Sequence, residues 1–113
     1  MTIYISQGRY TREAIQGMIA NPEDRAEAVE RLCKAVGAKL IDHFITFGDY
    51  DFMVILESDG PATDAMGALL AAAATGGVTD LKTTTAVRSR DAMNAMERAR
   101  AVMKDFRPAG QRR

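Results

Sequence analysis

The sequence predicts an α+β fold in which four strands form one antiparallel sheet with helices on one side. Three observations support this fold class. Four segments are rich in β-branched and aromatic residues, and the middle two are separated by only a glycine and an aspartate. Before and after this central pair, apolar residues recur at helical spacing. The length of 113 residues suits one domain with a modest core.

The first strand is predicted over 2–7, where the β-rich run TIYISQ is followed by Gly8. Thr11 has the side chain of a helix N-cap, and a short helix is predicted through Ile19. The apolar residues of this helix share one face: Ala14, Ile15, Met18 and Ile19. A strand followed closely by a short helix is thus expected at the N-terminus.

A second helix is predicted to start at Asn21. An N-cap residue, a proline and two acidic residues follow one another there, in the order typical of a helix N-terminus. Gly37 is expected to end the helix. Its predicted buried stripe consists of Val29, Leu32, Cys33 and Val36. Cys33 is interpreted as a small hydrophobic residue of that stripe and not as a nucleophile.

The second and third strands are predicted over 39–47 and 50–57, joined by Gly48 and Asp49 in a type II′ turn. This register places Ile41, His43, Ile45 and Phe47 opposite Leu56, Val54, Phe52 and Tyr50. The other side carries Leu40, Asp42, Phe44 and Thr46 opposite Glu57, Ile55, Met53 and Asp51. The first side is apolar except for His43 and is predicted to face the helices. The mixed side predicts a sheet that is half covered by another subunit.

The third helix is predicted to open at 59–61 and to end at Gly76 and Gly77, and the last strand is predicted over 78–87. The buried stripe predicted for this helix is Met66, Leu69, Leu70 and Ala73. Strand, helix, strand, strand, helix, strand is the ferredoxin-like βαββαβ order, which we assign to residues 1–88.

An additional C-terminal helix is predicted over 89–106, followed by a flexible basic tail over 107–113. Ser89 is the expected N-cap of this helix, and Pro108 lies at the start of the tail. The helix carries Met93, Met96, Met103 and Phe106. With this spacing it is expected to pack on its own domain or on a symmetry mate.

The composition argues against several function classes. Fifteen basic and fifteen acidic residues give a formal net charge of zero, which disfavours binding to nucleic acid or to an anionic membrane. No apolar stretch has the length of a membrane span and the N-terminus lacks a signal-peptide pattern, so a cytoplasmic location is predicted. One cysteine and one histidine supply too few ligands for a transition-metal site, and no metal or cofactor is predicted.

Several short motifs follow one another along the chain. They are GRYT at 8–11, Arg25 with Ala26, Gly37, GDYD at 48–51 after the strand that contains Thr46, and Gly77 before a threonine-rich strand. Together they resemble the GYD-domain family over residues 2–87. The resemblance implies a small ferredoxin-like domain, similar to the dimeric α/β-barrel proteins, without a firmly assigned biochemical activity.

The first functional hypothesis is a small-molecule-binding module with a pocket between the sheet and its helices. The candidate ligand-binding residues are His43, Tyr50, Phe52, Tyr4, Thr46 and Asp51. Thr46 is the cross-strand neighbour of Asp51 and is expected to donate a hydrogen bond to its carboxylate. The alternative for His43 and Asp51 is a structural role as hydrogen-bonded groups of the fold. Gly48 and Asp49 are assigned to the turn.

Two other hypotheses remain open. One is a cofactor-free oxygenase or isomerase, since dimeric α/β barrels host such enzymes, although fold alone does not establish an activity. The candidate bases, His43 and Asp51, point to opposite sides of the predicted hairpin and cannot form one acid-base pair within a monomer. The other is a structural or interaction protein without a ligand. The mixed side, with Leu40, Phe44, Met53 and Ile55, predicts a homodimer joined sheet to sheet.

Overall fold

A computed structural model describes residues 1–111. Within this range the elements are β1 (Thr2–Tyr10), α1 (Arg12–Ala20), α2 (Arg25–Ala35), β2 (Lys39–Ile45), β3 (Phe52–Ser58), α3 (Ala62–Ala74), β4 (Val78–Ala86) and α4 (Ser89–Met103). The strands form one antiparallel sheet in the order β2-β3-β1-β4. This ferredoxin-like arrangement confirms the predicted α+β fold class. None of the helices in the described range has both the length and the apolar character that crossing a bilayer requires.

The core lies between one side of the sheet and helices α2 and α3. Alternate residues of the two central strands are buried on that side, as the pleat of a strand requires: Tyr4, Ser6 and Gly8 on β1, and Phe52, Val54 and Leu56 on β3. Cys33 of α2 and Ala65 of α3 join this cluster. The other side of the sheet carries Ile3, Ile5, Phe44, Met53 and Ile55, and we call it the open face.

β1 continues through Gly8 to Tyr10, so the predicted end of this strand at Gly8 is wrong. A Cβ atom at Gly8 would lie 2.7 Å from Cζ of Phe52 and 2.8 Å from Cδ2 of Leu81. The pairing of β1 with β4 also shifts its register next to Gly8. The glycine therefore leaves room for side chains of both neighbouring strands, and it does not terminate β1.

The start of α2 differs from the prediction, whereas Thr11 caps α1 as predicted. The N-cap of α2 is Asp24, whose Oδ1 accepts a hydrogen bond from the N–H of Ala26 at 3.0 Å. The predicted cap Asn21 instead ends α1, and its N–H donates to the carbonyl of Gly17. Aspartate and asparagine cap helices about equally well. Local preference alone therefore does not decide between these two positions.

The β2–β3 hairpin follows the predicted register over 42–45, which pair with 52–55. The pairing then shifts between Leu40 and Asp42, and the extra residue Ile41 forms a bulge. Leu40 consequently lies opposite Leu56 and packs against the core. Its predicted place on the mixed side, opposite Glu57, is wrong, because one inserted residue reverses the side of every residue beyond it.

The loop between these strands spans 46–51 and is longer than the predicted two residues. The N–H of Thr46 donates to the carbonyl of Asp51 at 2.8 Å, so these two residues face each other as predicted. Gly48 has the predicted positive φ, but its value of +151° is far from the roughly +60° of a type II′ turn. Phe47 is 99% exposed, so its predicted place on a helix-covered side is wrong.

α3 turns a different face to the sheet from the one predicted. Its buried residues are Ala65 and Ala68, whereas Met66 and Leu70 are more than half exposed. The predicted stripe of Met66, Leu69, Leu70 and Ala73 is therefore wrong except for Leu69, which is half-buried. Alanine side chains let the helix backbone approach the sheet closely, and a search for large apolar residues misses such a face.

α4 extends away from the rest of the chain. Its N-cap is Arg88, without a side-chain cap bond, so the prediction of Ser89 as N-cap is wrong. No residue of α4 is buried, and it makes no extended contact with another element of residues 1–111. The radius of gyration is 18.5 Å, compared with about 13 Å for a compact domain of this length. Arg112 and Arg113 of the predicted tail lie outside the described residues.

Candidate ligand-binding site

A cavity of about 590 Å³ lies between the helix-facing side of the sheet and helices α1, α2 and α3. Its floor includes Ser6, Phe52, Val54 and Leu56 from the two central strands. Its helical wall includes Met18, Val29, Leu32 and Leu69. Pockets for small molecules in proteins have volumes of about 300–1,000 Å³ and mainly apolar walls. The cavity has the size and the lining of such a pocket.

The space exists because the helices present small side chains to it. The small lining residues are Ala14 and Gly17 on α1, Ala28 on α2, and Ala68, Ala71 and Ala72 on α3. In a filled core, these positions would carry side chains that interlock with the sheet. Larger residues of the same helices, such as Ile19 and Leu70, point into solvent instead. The volume is thus set by which residues each helix turns inward.

Three aromatic rings lie side by side on neighbouring strands at one end of the cavity. The Phe52 ring on β3 is 5.1 Å from the ring of Tyr10 on β1, between centroids. On its other side, the Phe52 ring is 6.5 Å from the His43 imidazole on β2, and the two planes differ by 19°. All three residues line the cavity. The two outer rings place hydrogen-bonding groups at either side of an apolar centre.

Arg25 and Glu23, from the start of α2 and the connection before it, complete this polar end. Nη1 of Arg25 lies 2.8 Å from Oε1 of Glu23, so the guanidinium charge is paired within the site. Asn21 and Glu23 are exposed, which places this end of the cavity at the surface. A ligand entering here meets hydrogen-bonding groups first and an apolar interior behind them.

The imidazole of His43 and the phenol of Tyr10 are both uncharged near neutral pH, and burial favours the uncharged form of each. Burial lowers the pKa of His43 below 6.5, and Arg25 acts in the same direction while Asp24 and Asp42 oppose it. Burial also raises the pKa of Tyr10, although the Arg25 guanidinium beside the phenol partly opposes this. The site therefore offers a neutral imidazole and a neutral phenol as hydrogen-bonding partners.

Two further groups face the cavity from its interior. Ser6 is 2% exposed and its Oγ lies 2.9 Å from Oγ1 of Thr83, so this buried hydroxyl already has a partner within the sheet. Cys33 is equally buried, and burial raises the pKa of its thiol, as expected for a hydrophobic position and not for a nucleophile. Within residues 1–111, no three histidine, cysteine or acidic side chains converge to hold a metal ion.

The structure brings together only two of the six predicted ligand-binding residues. His43 is half-buried on the helix-facing side, as the hairpin register predicts, and lines the cavity with Phe52. Tyr4 is buried in the core and does not line the cavity. Tyr50 instead lines a shallow surface depression with Arg9, Asp49 and Asp80.

Thr46 and Asp51 hold the β2–β3 loop together. The hydroxyl of Thr46 donates to the carbonyl of Tyr50 at 2.7 Å, so the predicted bond from Thr46 to the Asp51 carboxylate is wrong. Oδ2 of Asp51 accepts instead from the N–H of Tyr10 at 2.9 Å. The N–H of Asp51 donates to the carbonyl of Gly8 at 2.8 Å. Asp51 thus connects the loop to the end of β1.

Sequence reasoning missed Tyr10, Arg25 and Ser6 as residues of the site. Tyr10 lies beyond the predicted end of the first strand, and Arg25 was placed inside a helix that starts later than expected. A strand that continued past Gly8 would have placed Tyr10 on the same side as Tyr4 and Ser6 by alternation. Arg25 belongs to one of the motifs that resemble the GYD-domain family, but this motif does not indicate a site, because the role of Arg25 depends on the meeting of α2 with β1 and β2.

Three solved structures are similar to this chain. FFRP-DM1 is 15% identical with a TM-score of 0.47, over 77% of this chain and 100% of that chain. Hypothetical protein PHS023 from Pyrococcus horikoshii is 15% identical with a TM-score of 0.46, and the match covers 79% of this chain and 93% of that chain. TTHA0845 from Thermus thermophilus is 13% identical with a TM-score of 0.50, and the match covers 79% of this chain and 96% of that chain. At such low identity, the likeness to TTHA0845 concerns the fold alone.

The comparison with curated proteins gave no match. Residues 4–96 match the GYD domain. This range contains nearly all of β1, the complete hairpin with its GDYD motif, both helices that precede the hairpin, α3, β4 and the first part of α4. Since the match extends over most of the sequence, the chain belongs to the GYD domain family.

Proposed function

We propose that the protein binds a small, mainly apolar molecule in the cavity between the sheet and helices α1, α2 and α3. The observation that carries this proposal is a mainly apolar space of about 590 Å³ in which Tyr10, His43 and Arg25 place hydrogen-bonding groups at one end. That combination provides hydrophobic affinity together with a fixed orientation of the ligand.

The polar end favours an uncharged ligand. Tyr10 and His43 are neutral near pH 7, and the charge of Arg25 is paired with Glu23. A charged ligand group would lose its hydration without gaining an unpaired counter-charge. The expected ligand is therefore an aromatic or aliphatic molecule with one or two hydroxyl or carbonyl groups. Its ring or chain would lie against Phe52.

A panel of paired compounds tests this proposal. We expect 1-naphthol to raise the melting temperature of the protein more than 1-naphthoate does, since the two differ mainly in charge. Nile red, an uncharged apolar fluorophore, should bind to wild type. Binding should weaken at least about tenfold in Ala72→Leu, whose longer side chain occupies the cavity.

The matched control is Ala73→Leu, which adds the same side chain to the exposed side of α3. Its binding of Nile red should equal that of wild type. If no uncharged compound shifts the melting temperature, or if both leucine variants bind equally well, the cavity is not the binding site. A structural or interaction role without a ligand would then be favoured.

The proposed binding module acts as a homodimer joined through the open face. Phe44 is 46% exposed there, and Ile3, Ile5, Met53 and Ile55 are only half-buried in a single copy. A second copy would cover this contiguous apolar area, and a two-fold axis brings the same patch from both copies together. The cavity lies on the opposite side of the sheet, so dimerisation leaves it accessible.

A second candidate function is a cofactor-free isomerase or oxygenase. His43 favours it, because a neutral imidazole that faces an apolar cavity is able to remove a proton from the carbon beside a ligand carbonyl. The test uses a ketone that binds in the panel. Wild type in D₂O should exchange the α-protons of the ketone, and His43→Gln should still bind the ketone without exchanging them. Equal exchange by both proteins would exclude this role of His43.

A further inference from the structure

We propose that α4 pairs in an antiparallel manner with α4 of a second copy of this chain. The first observation is exposure. Met96 is 65% exposed and Met103 is 70% exposed, and no residue of α4 is buried. A helix of about 15 residues is marginally stable in water without packing. α4 is amphipathic, and its own domain does not cover its apolar stripe, so the stripe requires a partner.

The spacing along α4 is that of a helix which packs on another helix. Residues with a strict alternation of four and three positions lie on one stripe of the helix: Ala92, Met96, Ala99 and Met103. Such heptad spacing keeps one narrow seam facing a partner helix. Asn94 and Ala101 lie on the opposite side of the helix, away from this stripe.

Side-chain size selects the antiparallel direction. With a two-fold axis midway between Met96 and Ala99, each Met96 meets Ala99 of the second copy. The same axis pairs Met103 with Ala92. Every layer thus combines one large and one small side chain, which fills space evenly. A parallel pair would stack methionine on methionine and alanine on alanine, with crowded and hollow layers in turn.

Charge does not oppose this pairing. Arg100 flanks the stripe, and the two-fold axis places it beside Met93 of the second copy and not beside the other Arg100. Its aliphatic stem can cover the methionine while the guanidinium stays in water. The pairing is self-complementary, as an interface on a two-fold axis must be.

The surface that a pair of α4 helices buries is too small for a stable dimer, so α4 acts together with another contact between the same two copies. A helix of 15 residues projects about 220 Å² onto a partner, or about 450 Å² for the pair, below the roughly 1,000 Å² of a stable interface. The open face contributes about 1,000 Å² for two copies, from four strands of seven to nine residues. Together they reach the usual size, and to this extent the inference rests on the proposed dimer.

The start of α4 is tied to the open face. Arg88, immediately before the helix, lies with Nη2 3.9 Å from Oε2 of Glu57 on β3. Glu57 is on the open-face side of its strand, opposite Ile3 of β1. A dimer formed through the open faces therefore brings the beginnings of both α4 helices toward one contact region.

Cysteine cross-linking tests the direction of pairing. In the full-length protein, a mixture of Met96→Cys and Ala99→Cys should form a disulfide between the two variants under mild oxidation. Met96→Cys alone should cross-link poorly, because a disulfide requires Cα atoms within about 7 Å. The native Cys33 is buried and serves as the unreactive background. Efficient cross-linking of Met96→Cys with itself would show a parallel pair, and no cross-linking in either sample would overturn the pairing.

Dimer affinity supplies the second measurement. Met96→Glu with Met103→Glu should weaken dimerisation by about tenfold or more in sedimentation equilibrium, since it places charge in the seam. The control, Asn94→Glu with Ala101→Glu, adds the same charge on the opposite side and should leave the affinity unchanged. Equal affinities of the two double variants would overturn the inference.

Met53→Asp separates the two contacts. If it yields monomers while the mixed cysteine variants give no cross-link, the open-face dimer stands and the pairing of α4 is wrong. If the cross-link forms and Met53→Asp stays dimeric, the pairing stands and the open-face contact is wrong. A wild-type protein that sediments as a monomer at micromolar concentration would overturn both.

Discussion

The backbone N–H of Tyr10 donates a 2.9 Å hydrogen bond to Oδ2 of Asp51, which joins the end of β1 to the start of the β3 side of the hairpin. The Tyr10 ring in turn packs on Phe52 at one end of the cavity. A carboxylate outside the cavity thus positions a hydrogen-bonding group inside it. Asp51 therefore supports the candidate site indirectly, through its hydrogen bond to the backbone of Tyr10.

Asp51→Ala leaves the partly buried N–H of Tyr10 without an acceptor. We expect the free energy of unfolding to fall by about 1–3 kcal/mol in urea melts. Asp51→Asn retains an oxygen at the same position and should lose less than about 1 kcal/mol. Asp49→Ala, at the exposed tip of the same loop, is the control and should match wild type within about 0.5 kcal/mol. An Asp51→Ala protein of wild-type stability would show that the bond to Tyr10 does not support the fold.

Gly48 holds the tip of the hairpin at a φ of +151°. A β-branched residue strongly disfavours this region, so Gly48→Val should lower the free energy of unfolding by about 1–3 kcal/mol. No atom would contact the new Cβ, which leaves backbone conformation as the cause. Asp49→Ser next to it should change stability little. If Gly48→Val unfolds at the same urea concentration as wild type, the loop adopts another conformation in solution.

His43 should make stability depend on pH below neutrality. Burial lowers its pKa in the folded protein below the ordinary value of 6.5, so the unfolded chain binds the proton more readily. The stability that comes from keeping His43 neutral is fully present above about pH 7.5 and is lost as the pH falls through 6.5. Below the folded pKa of His43, the free energy of unfolding no longer changes through this group.

The measurement compares wild type with His43→Gln in urea melts between about pH 8 and pH 5. The free energy of unfolding of wild type should fall relative to that of His43→Gln as the pH falls, because only wild type gains a proton on unfolding. An NMR titration of the imidazole should have its midpoint below 6.5. A midpoint above that value would mean that His43 is solvated or paired with Asp24 or Asp42.

Met53→Asp introduces a charge at the centre of the open face. If two copies meet there, the variant should be largely monomeric by native mass spectrometry at micromolar concentration, since a buried unpaired charge costs several kcal/mol. Thr63→Asp adds the same charge on an exposed turn of α3 and should remain dimeric. Similar dimer fractions in both variants would place the contact elsewhere.

The regular parts of the fold follow from local patterns. Alternation along β3 and the two glycines after α3 are visible in the sequence, and the hairpin register over 42–45 follows from the position of the loop. Leu40 shows the limit of this reasoning. A bulge at Ile41 has no signature in side-chain type, yet it moves Leu40 from one side of the sheet to the other.

The candidate site was less accessible to sequence reasoning, because it depends on which elements meet. His43 and Phe52 were found since both belong to one hairpin whose pairing is local. Tyr10 and Arg25 join them from β1 and α2, and the motifs that contain these two residues, GRYT and Arg25 with Ala26, do not indicate that they meet. The inward face of α3 was missed for another reason, namely that Ala65 and Ala68 carry little hydrophobic signal.

The inward alanines of α3 have a consequence for how binding specificity can diverge. Replacing one of them by valine, leucine or methionine changes the outline of the cavity, while the strands and their hydrogen bonds keep their places. Ala68, Ala71 and Ala72 lie on one helix, so they can vary without disturbing the rings of Tyr10, His43 and Phe52. In the proposed binding module, the choice of ligand is thus separable from the stability of the sheet. Under the proposed function, substitutions on a single helix face would change the ligand without changing the scaffold.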